Sequence, residues 1–399
     1  MTITDGTELM DPHAYARTGY PHELWRRLRR ESPVHWCEGP ELVPYWAVTR
    51  HAHVCEVSKQ PDKFLSGPGI IPARKEMLER LARGERGPFD AMQTIITMDG
   101  PKHRTYRKVT SPWFTPHALG RLDEVVKASA RRLVDRLYDA QEGGEGRCDF
   151  VTDVAVQHPL RILCTILGVP EADRQEAFKN LGMEFLQYFG QIIADRRANP
   201  RDDLAGVLAN AKVNGESMGG METLGYYLIV FTAGHDTTRN AIAGGMEALL
   251  ANPAQLAALQ RDPAGRVEDA VEEIVRWTTP VNFMMRTAAC DYELGGSKLR
   301  KGDRLVLYYA SANRDEDVFE DPYAFRIDRR PNPHLGFGIG EHFCLGSHLA
   351  RKSQRALFAE LARRLQEVEL DGAAERLAAS FVAGVKHLPL RYRLAPPRS

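Results

Sequence analysis

Apolar residues recur at intervals of three and four over much of the chain, which is the spacing that places them on one face of an α-helix. The pattern is strongest after about residue 102. It predicts helices over the segments 20–30, 122–138, 172–189, 224–250, 253–260, 267–277 and 345–365. The chain is therefore expected to be mainly α with a minor β component.

The β component is predicted from alternating apolar and polar residues in a few short segments. These segments are 34–36, 45–48 and pieces within 291–309, where Gly295-Gly296 and Lys301-Gly302 mark turns. We therefore expect a small sheet near the start of the chain, within a mainly helical domain.

No internal repeat or low-complexity linker divides the chain, so we expect a single domain over residues 1–399. Residues 1–12 are polar and acidic and are expected to form a flexible tail. The stretches 67–97 and 200–220 follow neither period, and long irregular segments in compact domains are usually functional or mobile.

The composition narrows the cellular setting. Lys and Arg balance Asp and Glu at 53 each, so no overall field favours nucleic acid or anionic lipid. The six cysteines are scattered without a C-x-x-C pair, which argues against a disulfide framework or a structural zinc site. The N-terminus lacks a signal-peptide pattern, and the longest apolar run, 224–233, is too short to span a bilayer. We expect a soluble, cytoplasmic monomer.

One cysteine lies in a glycine-rich loop, residues 337–346, just before a predicted helix. Glycines allow the backbone to approach a flat ligand closely, and a helix N-terminus stabilises a thiolate. Cys344 is therefore a candidate axial ligand of haem iron. The alternative interpretation of a single cysteine is a small buried apolar residue.

The predicted helix 224–250 carries a face of small residues beside an acid and an alcohol. Ala233 and Gly234 share this face with Thr237, and Asp236 precedes the threonine. A glycine within a helix costs about 1 kcal/mol relative to alanine, so a close approach is the expected reason for Gly234. An acid and an alcohol together can relay protons, although a hydroxyl can also bond to the carbonyl one turn earlier.

These motifs resemble those of the cytochrome P450 superfamily, and the resemblance extends from about residue 11 to residue 392. Its cysteine signature is matched in this chain by Phe337, Gly338, Gly340, His342, Cys344 and Gly346. The resemblance implies a triangular prism of helices, with haem b between the helix of the oxygen groove and the helix after the cysteine loop. It also implies that Ala233 and Gly234 contact the haem, and that Asp236 and Thr237 are the catalytic residues.

The resemblance further implies two sets of charged residues. Glu273 and Arg276, three apart on one helix face, would form with Arg329 a buried network that fixes the cysteine loop. Basic side chains would bind the two haem propionates; the implied residues are His103, Arg107, Arg286 and His342. One departure from the family pattern is Gly100, which stands where proline is more common.

The implied activity is that of a haem-thiolate monooxygenase, which uses O2 to hydroxylate or epoxidise a lipophilic small molecule. The chain has no flavin motif and no iron–sulfur cysteine cluster, so its electrons must come from another protein. By resemblance this is a ferredoxin served by an NAD(P)H-dependent reductase. Basic residues expected to dock an acidic partner are Arg104, Lys108, Arg351, Lys352 and Arg355.

Two alternatives remain open from the sequence. One is a peroxygenase driven by hydrogen peroxide, which the acid–alcohol pair disfavours because similar peroxygenases tend to replace that pair. The other is a haem-thiolate sensor or carrier that binds a ligand without turnover. Turnover with peroxide alone would indicate the first, and the absence of product in a reconstituted assay would indicate the second.

Substrate contacts are expected from segments outside the motifs, with a preference for sterol, terpenoid or fatty-chain substrates. The segments are 70–96, 183–189, 226–233, 281–285 and 381–385. Pockets for such compounds are mainly apolar. The residues predicted to line this one are Tyr227, Val230, Phe283, Met284, Phe381 and Val382.

Overall fold

The computed structural model of the chain has a mainly helical fold. It describes residues 3–85, 92–170 and 183–397, without the side chains of 183–185. The helices of this part of the chain are α1 Thr7–Met10, α2 Pro12–Thr18, α3 His22–Glu31, α4 His51–Ser58, α5 Lys75–Ala82, α6 Gly100–Thr110, α7 Asp123–Asp139, α8 Gln157–Ile166, α9 Met183–Ala198, α10 Leu204–Ala209, α11 Gly220–Ala251, α12 Pro253–Arg261, α13 Pro263–Thr278, α14 Tyr309–Ala312 and α15 Ser347–Arg364.

Short strands form one mixed sheet and several small antiparallel ones. The strands are β1 Val34–Cys37, β2 Tyr45–Val48, β3 Phe64–Leu65, β4 Gly146–Asp149, β5 Lys212–Val213, β6 Glu216–Ser217, β7 Phe283–Ala288, β8 Tyr292–Leu294, β9 Ser297–Leu299, β10 Arg304–Tyr308, β11 Leu365–Leu370, β12 Glu375–Arg376, β13 Val385–His387 and β14 Pro389–Leu394. The five-stranded sheet has the order β1-β2-β10-β7-β3, and β10 pairs parallel with β2 and antiparallel with β7. A three-stranded sheet has the order β11-β14-β4.

Helix α11 runs through the core and contacts α8, α12, α13 and α15. Two consecutive glycines allow two of these contacts. A Cβ on Gly244 would lie 2.7 Å from the Thr278 side chain, and one on Gly245 would lie 2.7 Å from Ile274 and 2.9 Å from Phe358. Side chains at these positions would push α13 and α15 away from α11.

The predicted helices are confirmed within a few residues where the structure describes them, and Ser347–Arg364 replaces the predicted 345–365. Of the predicted helix 172–189, residues 172–182 lie outside the described part, and α9 continues to Ala198. Strand β7 was not predicted, because both of its faces are buried and its sequence does not alternate.

The N-terminal segment differs from the flexible tail predicted for residues 1–12. Leu9 is fully buried, Met10 is nearly so, and both pack in a core cluster with Trp25 and Leu28. The Tyr15 hydroxyl also donates a hydrogen bond to the Leu9 carbonyl at 3.1 Å. Apolar residues within a polar segment thus pack its described part, from residue 3 onward, against the core.

No helix in the described ranges 3–85, 92–170 and 183–397 is both long and apolar enough to cross a membrane. Helix α11, of 32 residues, is long enough, but His235, Asp236 and Arg239 interrupt its apolar sequence.

Replacing Leu9 by alanine should test whether the N-terminal segment stabilises the fold. We expect the Leu9→Ala variant to lose about 2–4 kcal/mol of unfolding free energy, because a fully buried leucine leaves a cavity. Guanidinium titration would measure the loss. Exposed Glu8→Ala is the matched control and should change the value by less than about 0.5 kcal/mol. Equal stabilities would contradict the packed arrangement.

Candidate functional site

A cavity of about 250 Å³ lies between α11 and the loop that carries Cys344. Small residues of α11, namely Ala233, Gly234 and Thr237, form part of its lining. Other parts of the lining come from the first turns of α15 and from residues of α6, α8 and β7. Residues far apart in the sequence thus meet around a single space, as the motifs predict.

The shape of the cysteine loop depends on its glycines and on one backbone hydrogen bond. Gly338 and Gly340 have φ values of 67° and 80°, which L-residues rarely adopt. A Cβ on Gly340 would clash with the Ser58 carbonyl at the end of α4. The Cys344 amide donates to the Phe337 carbonyl at 2.9 Å and closes the loop. Cys344 is thereby held beside the cavity, three residues before α15 begins.

The surroundings of Cys344 have opposite effects on its sulfur. Burial raises the pKa of the thiol, whereas the Gly346 amide, Arg107 and Arg351 act to lower it. A buried thiol with donors aimed at it becomes a thiolate when a metal ion supplies the compensating charge. A sulfur in this setting is better suited to bind the metal ion of a cofactor than to act as a free nucleophile.

Basic side chains converge on one edge of the cavity. His103, Arg107, Arg286 and His342 all contribute to the lining. The His103 and His342 rings stack with centroids 4.1 Å apart, and Nε2 of His103 is buried without a hydrogen-bond partner in the described part of the chain. Glu341 accepts from His103 Nδ1 at 3.3 Å and is the carboxylate that contacts this cluster.

The lining fits haem. An anionic group with two carboxylates would offset the guanidinium charges of Arg107 and Arg286, and it would give His103 Nε2 a partner once that imidazole is protonated. A sulfur on one wall and small residues on the wall of α11 leave room for a flat ring between them. Among the described residues no group of three or more His, Cys, Asp or Glu side chains could hold a metal ion without such a cofactor.

Gly100, the departure from the family pattern, has a φ of 52° at the start of α6. Proline cannot adopt this value, because its ring fixes φ near −65°. The helix therefore begins differently in this chain, yet it still brings His103 and Arg107 to the cavity. The preceding Asp99 accepts hydrogen bonds from the amides of Ser66 and Gly67 at 2.6 and 2.7 Å.

On α11, Thr237 lines the cavity, and its hydroxyl donates to the Ala233 carbonyl at 2.6 Å. This is the bond to the preceding turn that the sequence left open as an alternative. Gly234 has an additional role, because a Cβ there would lie 2.9 Å from Leu163 of α8. The glycine therefore brings α8 close to α11 as well as leaving space in the cavity.

Asp236 does not belong to the cavity lining. Its carboxylate is half exposed and lies 3.3 Å from His235 Nδ1 and 3.8 Å from Arg239. The hydrogen bond from His235 lowers the pKa of Asp236; burial opposes this, and Arg239 adds to the lowering. The structure thus places the predicted acid next to Thr237 in the helix but outside the cavity lining.

The predicted Glu-x-x-Arg network is present and completely buried. Arg276 donates two hydrogen bonds of 2.7 Å to the Glu273 carboxylate, and both side chains are 0% exposed. Arg329 lies 3.2 Å from the same carboxylate. Arg276 also donates to the carbonyls of Asn313 and Pro322, so the network fixes the chain that leads to the cysteine loop.

A second group of ion pairs, which the sequence analysis did not predict, surrounds Glu272. We call it and the Glu273 network the two clamps of the cysteine loop. Its carboxylate accepts two hydrogen bonds from Arg351, at 2.7 and 2.8 Å, and lies 3.1 Å from His334 Nε2. The Arg351 guanidinium also covers the Phe337 ring at 4.2 Å. These contacts link α13 and α15 to both ends of the cysteine loop. Glu272 precedes Glu273 in sequence, and that position was the only signal that could have indicated it.

Of the residues predicted to line the substrate pocket, Val230 and Met284 line the cavity. Tyr227 does not, because it is fully buried and donates to the Ala205 carbonyl at 2.8 Å. Phe283 and Phe381 pack against each other at 5.4 Å, and Val382 pairs with Val281, so all three belong to the packing around the cavity.

Further apolar lining comes from segments that the motifs do not mark. The main contributors are Ile95, Ile96, Phe114, Ile162, Leu163 and Ile229. Of these, Phe114, Ile162 and Leu163 fall outside every segment proposed from the sequence. They come from α8 and from the 3₁₀ turn Ser111–Phe114, which no local pattern connects with a ligand.

Four of the five basic residues proposed to dock a partner already form ion pairs within the chain. Arg104 lies 3.2 Å from Glu341, Arg351 pairs with Glu272, Arg355 lies 2.6 Å from Glu268, and Lys352 pairs with Asp123. Their charges are therefore partly compensated. The groove between α7 and α15, of about 800 Å³, is also lined by Lys127, Arg131 and Arg363. The first two lie 3.7 and 3.6 Å from Glu124, and Arg363 lies 3.8 Å from Glu360.

Comparisons with known proteins agree with the geometry. Residues 170–372 match the family model described as Cytochrome P450. The chain is 37% identical to cytochrome P450-terp of a Pseudomonas species over 96% of both chains. It is 36% identical to a steroid C26-monooxygenase of Mycolicibacterium smegmatis, over 93% of this chain and 90% of the relative. The crystal structure of CYP108D1 from Novosphingobium aromaticivorans superposes with a TM-score of 0.90, at 38% identity and 98% coverage of both chains.

Replacing Glu272 by neutral glutamine should lower the free energy of unfolding by an amount that depends on pH. Burial acts to raise its pKa, but Arg351 and His334 outweigh this effect and lower it to about 2. The ionised carboxylate therefore stabilises the protein above about pH 4.5, and this contribution is lost as the pH falls from 4.5 toward 2. We expect Glu272→Gln to cost about 1–3 kcal/mol near pH 7, with a smaller cost near pH 4.

The measurement is chemical unfolding of both proteins at several pH values. Glu268→Gln is the matched control, because its carboxylate is 67% exposed and pairs with Arg355 at the surface. It should cost less than about 1 kcal/mol at every pH. A small cost for Glu272→Gln would show that the clamp contributes little, and a cost that does not change with pH would show that the ionised carboxylate is not its source.

Proposed function

The chain belongs to the cytochrome P450 family and is a monooxygenase of that family, and we propose that Cys344 holds a b-type haem in the cavity beneath α11. The observation that carries this proposal is that Cys344, the four basic side chains and Thr237 line one cavity, although they come from separate parts of the chain. The haem, when bound, supplies the chemistry that activates dioxygen.

Each set of side chains would have a distinct task. Cys344 would bind the iron as a thiolate, with the Gly346 amide donating to its sulfur. His103, Arg107, Arg286 and His342 would bind the two propionates. The clamps at Glu273 and Glu272 would hold the loop rigid, so that the sulfur keeps its position during turnover.

Thr237 would position a proton donor through its oxygen. Its own hydrogen is already donated to Ala233, so the Oγ1 lone pairs face the cavity as acceptors. A water molecule can then donate to that atom and be held beside the O2 substrate. Asp236 directly precedes Thr237 and is half exposed. It would pass protons from water outside the cavity toward Thr237.

The substrate that fits this lining is an uncharged, mainly apolar small molecule. Ile95, Phe114, Ile229 and Val230 provide an apolar surface near Thr237, and Met284 adds an adaptable contact. A sterol, terpenoid or fatty-chain substrate agrees with this surface, and a steroid is the substrate named for one relative. Hydroxylation or epoxidation of such a molecule is the proposed reaction.

The proposed electron donor is a ferredoxin reduced by an NAD(P)H-dependent reductase, since the chain carries no flavin or iron–sulfur motif of its own. The cationic rim of the groove between α7 and α15 suits an acidic partner. The six cysteines all lie in the described ranges and form no disulfide there, which agrees with the proposed cytoplasmic location. The single domain and the monomeric state stay predictions.

A carbon monoxide difference spectrum of the reduced protein tests the proposal directly. Thiolate ligation shifts the Soret band strongly to the red compared with histidine ligation, and we expect the wild-type protein to show this shift. Cys344→His should retain the fold and lose the shift, whereas Cys290→Ser, at an exposed cysteine, should retain it. A wild-type spectrum without the shift, in folded and haem-loaded protein, would refute ligation by Cys344.

Thr237→Ala should divert reducing equivalents from product to hydrogen peroxide or water. The variant lacks the oxygen that holds the proton donor, so we expect product per NAD(P)H to fall at least about tenfold, in the range of one lost catalytic interaction. Thr237→Ser keeps the hydroxyl and should restore most of the coupling. Product and peroxide are measured together with ferredoxin as donor. Tight coupling in Thr237→Ala would contradict the role of this residue.

A further inference from the structure

A second cavity, of about 260 Å³, lies on another side of α11 and shares no lining residue with the haem cavity. Its walls come from residues 15–22, from α11, from the end of α13 and from the chain between 376 and 385. Its polar lining includes Asn240 and Glu247 of α11, together with Arg314, Arg376 and His22. None of these residues belongs to the site described above.

Asn240 is the first sign that this cavity binds a ligand. Its side chain is 1% exposed, and neither Oδ1 nor Nδ2 has a hydrogen-bond partner in the described part of the chain. Gly384 lies against the amide, and a Cβ at that position would clash with it. Leaving a buried amide without partners costs about 1–3 kcal/mol, and a ligand in the cavity that bonds to this amide would recover that cost.

Arg314 is the second sign, because its charge is buried without a carboxylate. The side chain is 2% exposed, and no acid lies within ion-pair distance of it among residues 3–85, 92–170 and 183–397. Its terminal nitrogens donate to the carbonyls of Arg276 and Trp277, whereas Nε has no partner in these ranges. Burial, and then Arg276, lower the pKa of Arg314 to about 9, so the group is still protonated near neutral pH.

The other ionisable groups of the cavity do not compensate this charge. Glu247 accepts two hydrogen bonds from Arg376, at 3.2 and 2.7 Å, so these two charges offset each other. Burial, followed by Arg314, lowers the pKa of His22 to about 3, and the imidazole is neutral. Its Nδ1 also lacks a partner in the described chain. Glu273, whose charge also acts on Arg314, is already paired with Arg276 and Arg329. The lining therefore carries one positive charge without an ion-pair partner and several neutral hydrogen-bonding atoms.

We propose that the second cavity binds a small hydroxylated monocarboxylate. Arg314 and the Asn240 Nδ2 group would donate to the carboxylate, while Asn240 Oδ1 or His22 Nδ1 would bond to the hydroxyl. One negative charge matches the one lining cation that has no ion-pair partner, and the cavity has room for a small organic anion. The binding does not require the haem, although both cavities use α11 as a wall.

Calorimetric titration of the haem-loaded protein with sodium lactate, at constant ionic strength, tests this site. We expect saturable binding of one lactate per chain, with an unchanged Soret band because the ligand is remote from the haem. Asn240→Asp should weaken binding at least about tenfold, since a second carboxylate would repel the ligand. Asn252→Asp, the same change at the end of the same helix and outside the cavity, should bind like the wild type.

Asn240→Ala removes the amide without adding charge and should weaken binding by a smaller factor, which keeps the test decisive if the aspartate variant does not fold. A crystal structure with lactate should show it between Arg314 and Asn240. Three results would overturn the proposal: no saturable binding to the wild type, unchanged affinity in both Asn240 variants, or a cavity that holds only ordered water in the presence of lactate.

Discussion

The position of Cys344 depends on one buried carboxylate, Glu273. It accepts hydrogen bonds from Arg276, from the Arg326 amide and from Asn332, and it forms an ion pair with Arg329. Such a pair resists disruption because removing either partner leaves an uncompensated buried charge, at a cost of about 3–5 kcal/mol. Three of these donors follow α14 and approach the cysteine loop, so a residue of α13 determines the path of a chain more than fifty positions away.

The adjacent Glu272 also fixes the cysteine loop, but its side chain is partly exposed to solvent. Successive residues of a helix point about 100° apart, so Glu273 faces the interior while Glu272 reaches the edge of the cysteine loop. There it binds Arg351 of α15 and His334 before the loop. One helical turn thus fixes both the approach to Cys344 and the helix that follows it. This division explains why α13 carries two consecutive acids in its buried half.

The parts of the site that could be predicted from the sequence are those marked by motifs. The loop at Cys344, the basic set at His103 and Arg107, and the Glu273 network were predictable, because ligand chemistry restricts both residue type and spacing there. The long helices were predictable from their period. Strand β7 was not, because residues on both of its faces enter core clusters and no alternation remains in its sequence.

The residues that line the cavity could not be predicted from helical periodicity alone. Tyr227 and Val230 lie three residues apart on α11, so only about 60° separates them around the helix axis. Val230 nevertheless faces the haem cavity, whereas Tyr227 points to α10 and donates to Ala205. A helix buried on nearly all sides has no polar face to orient it, so the period shows which residues are neighbours but not what they contact. That choice is made by α8 and α10, which pack on α11 from distant parts of the sequence. The packing partners that orient α11, more than its own residues, therefore determine which side chains meet the substrate.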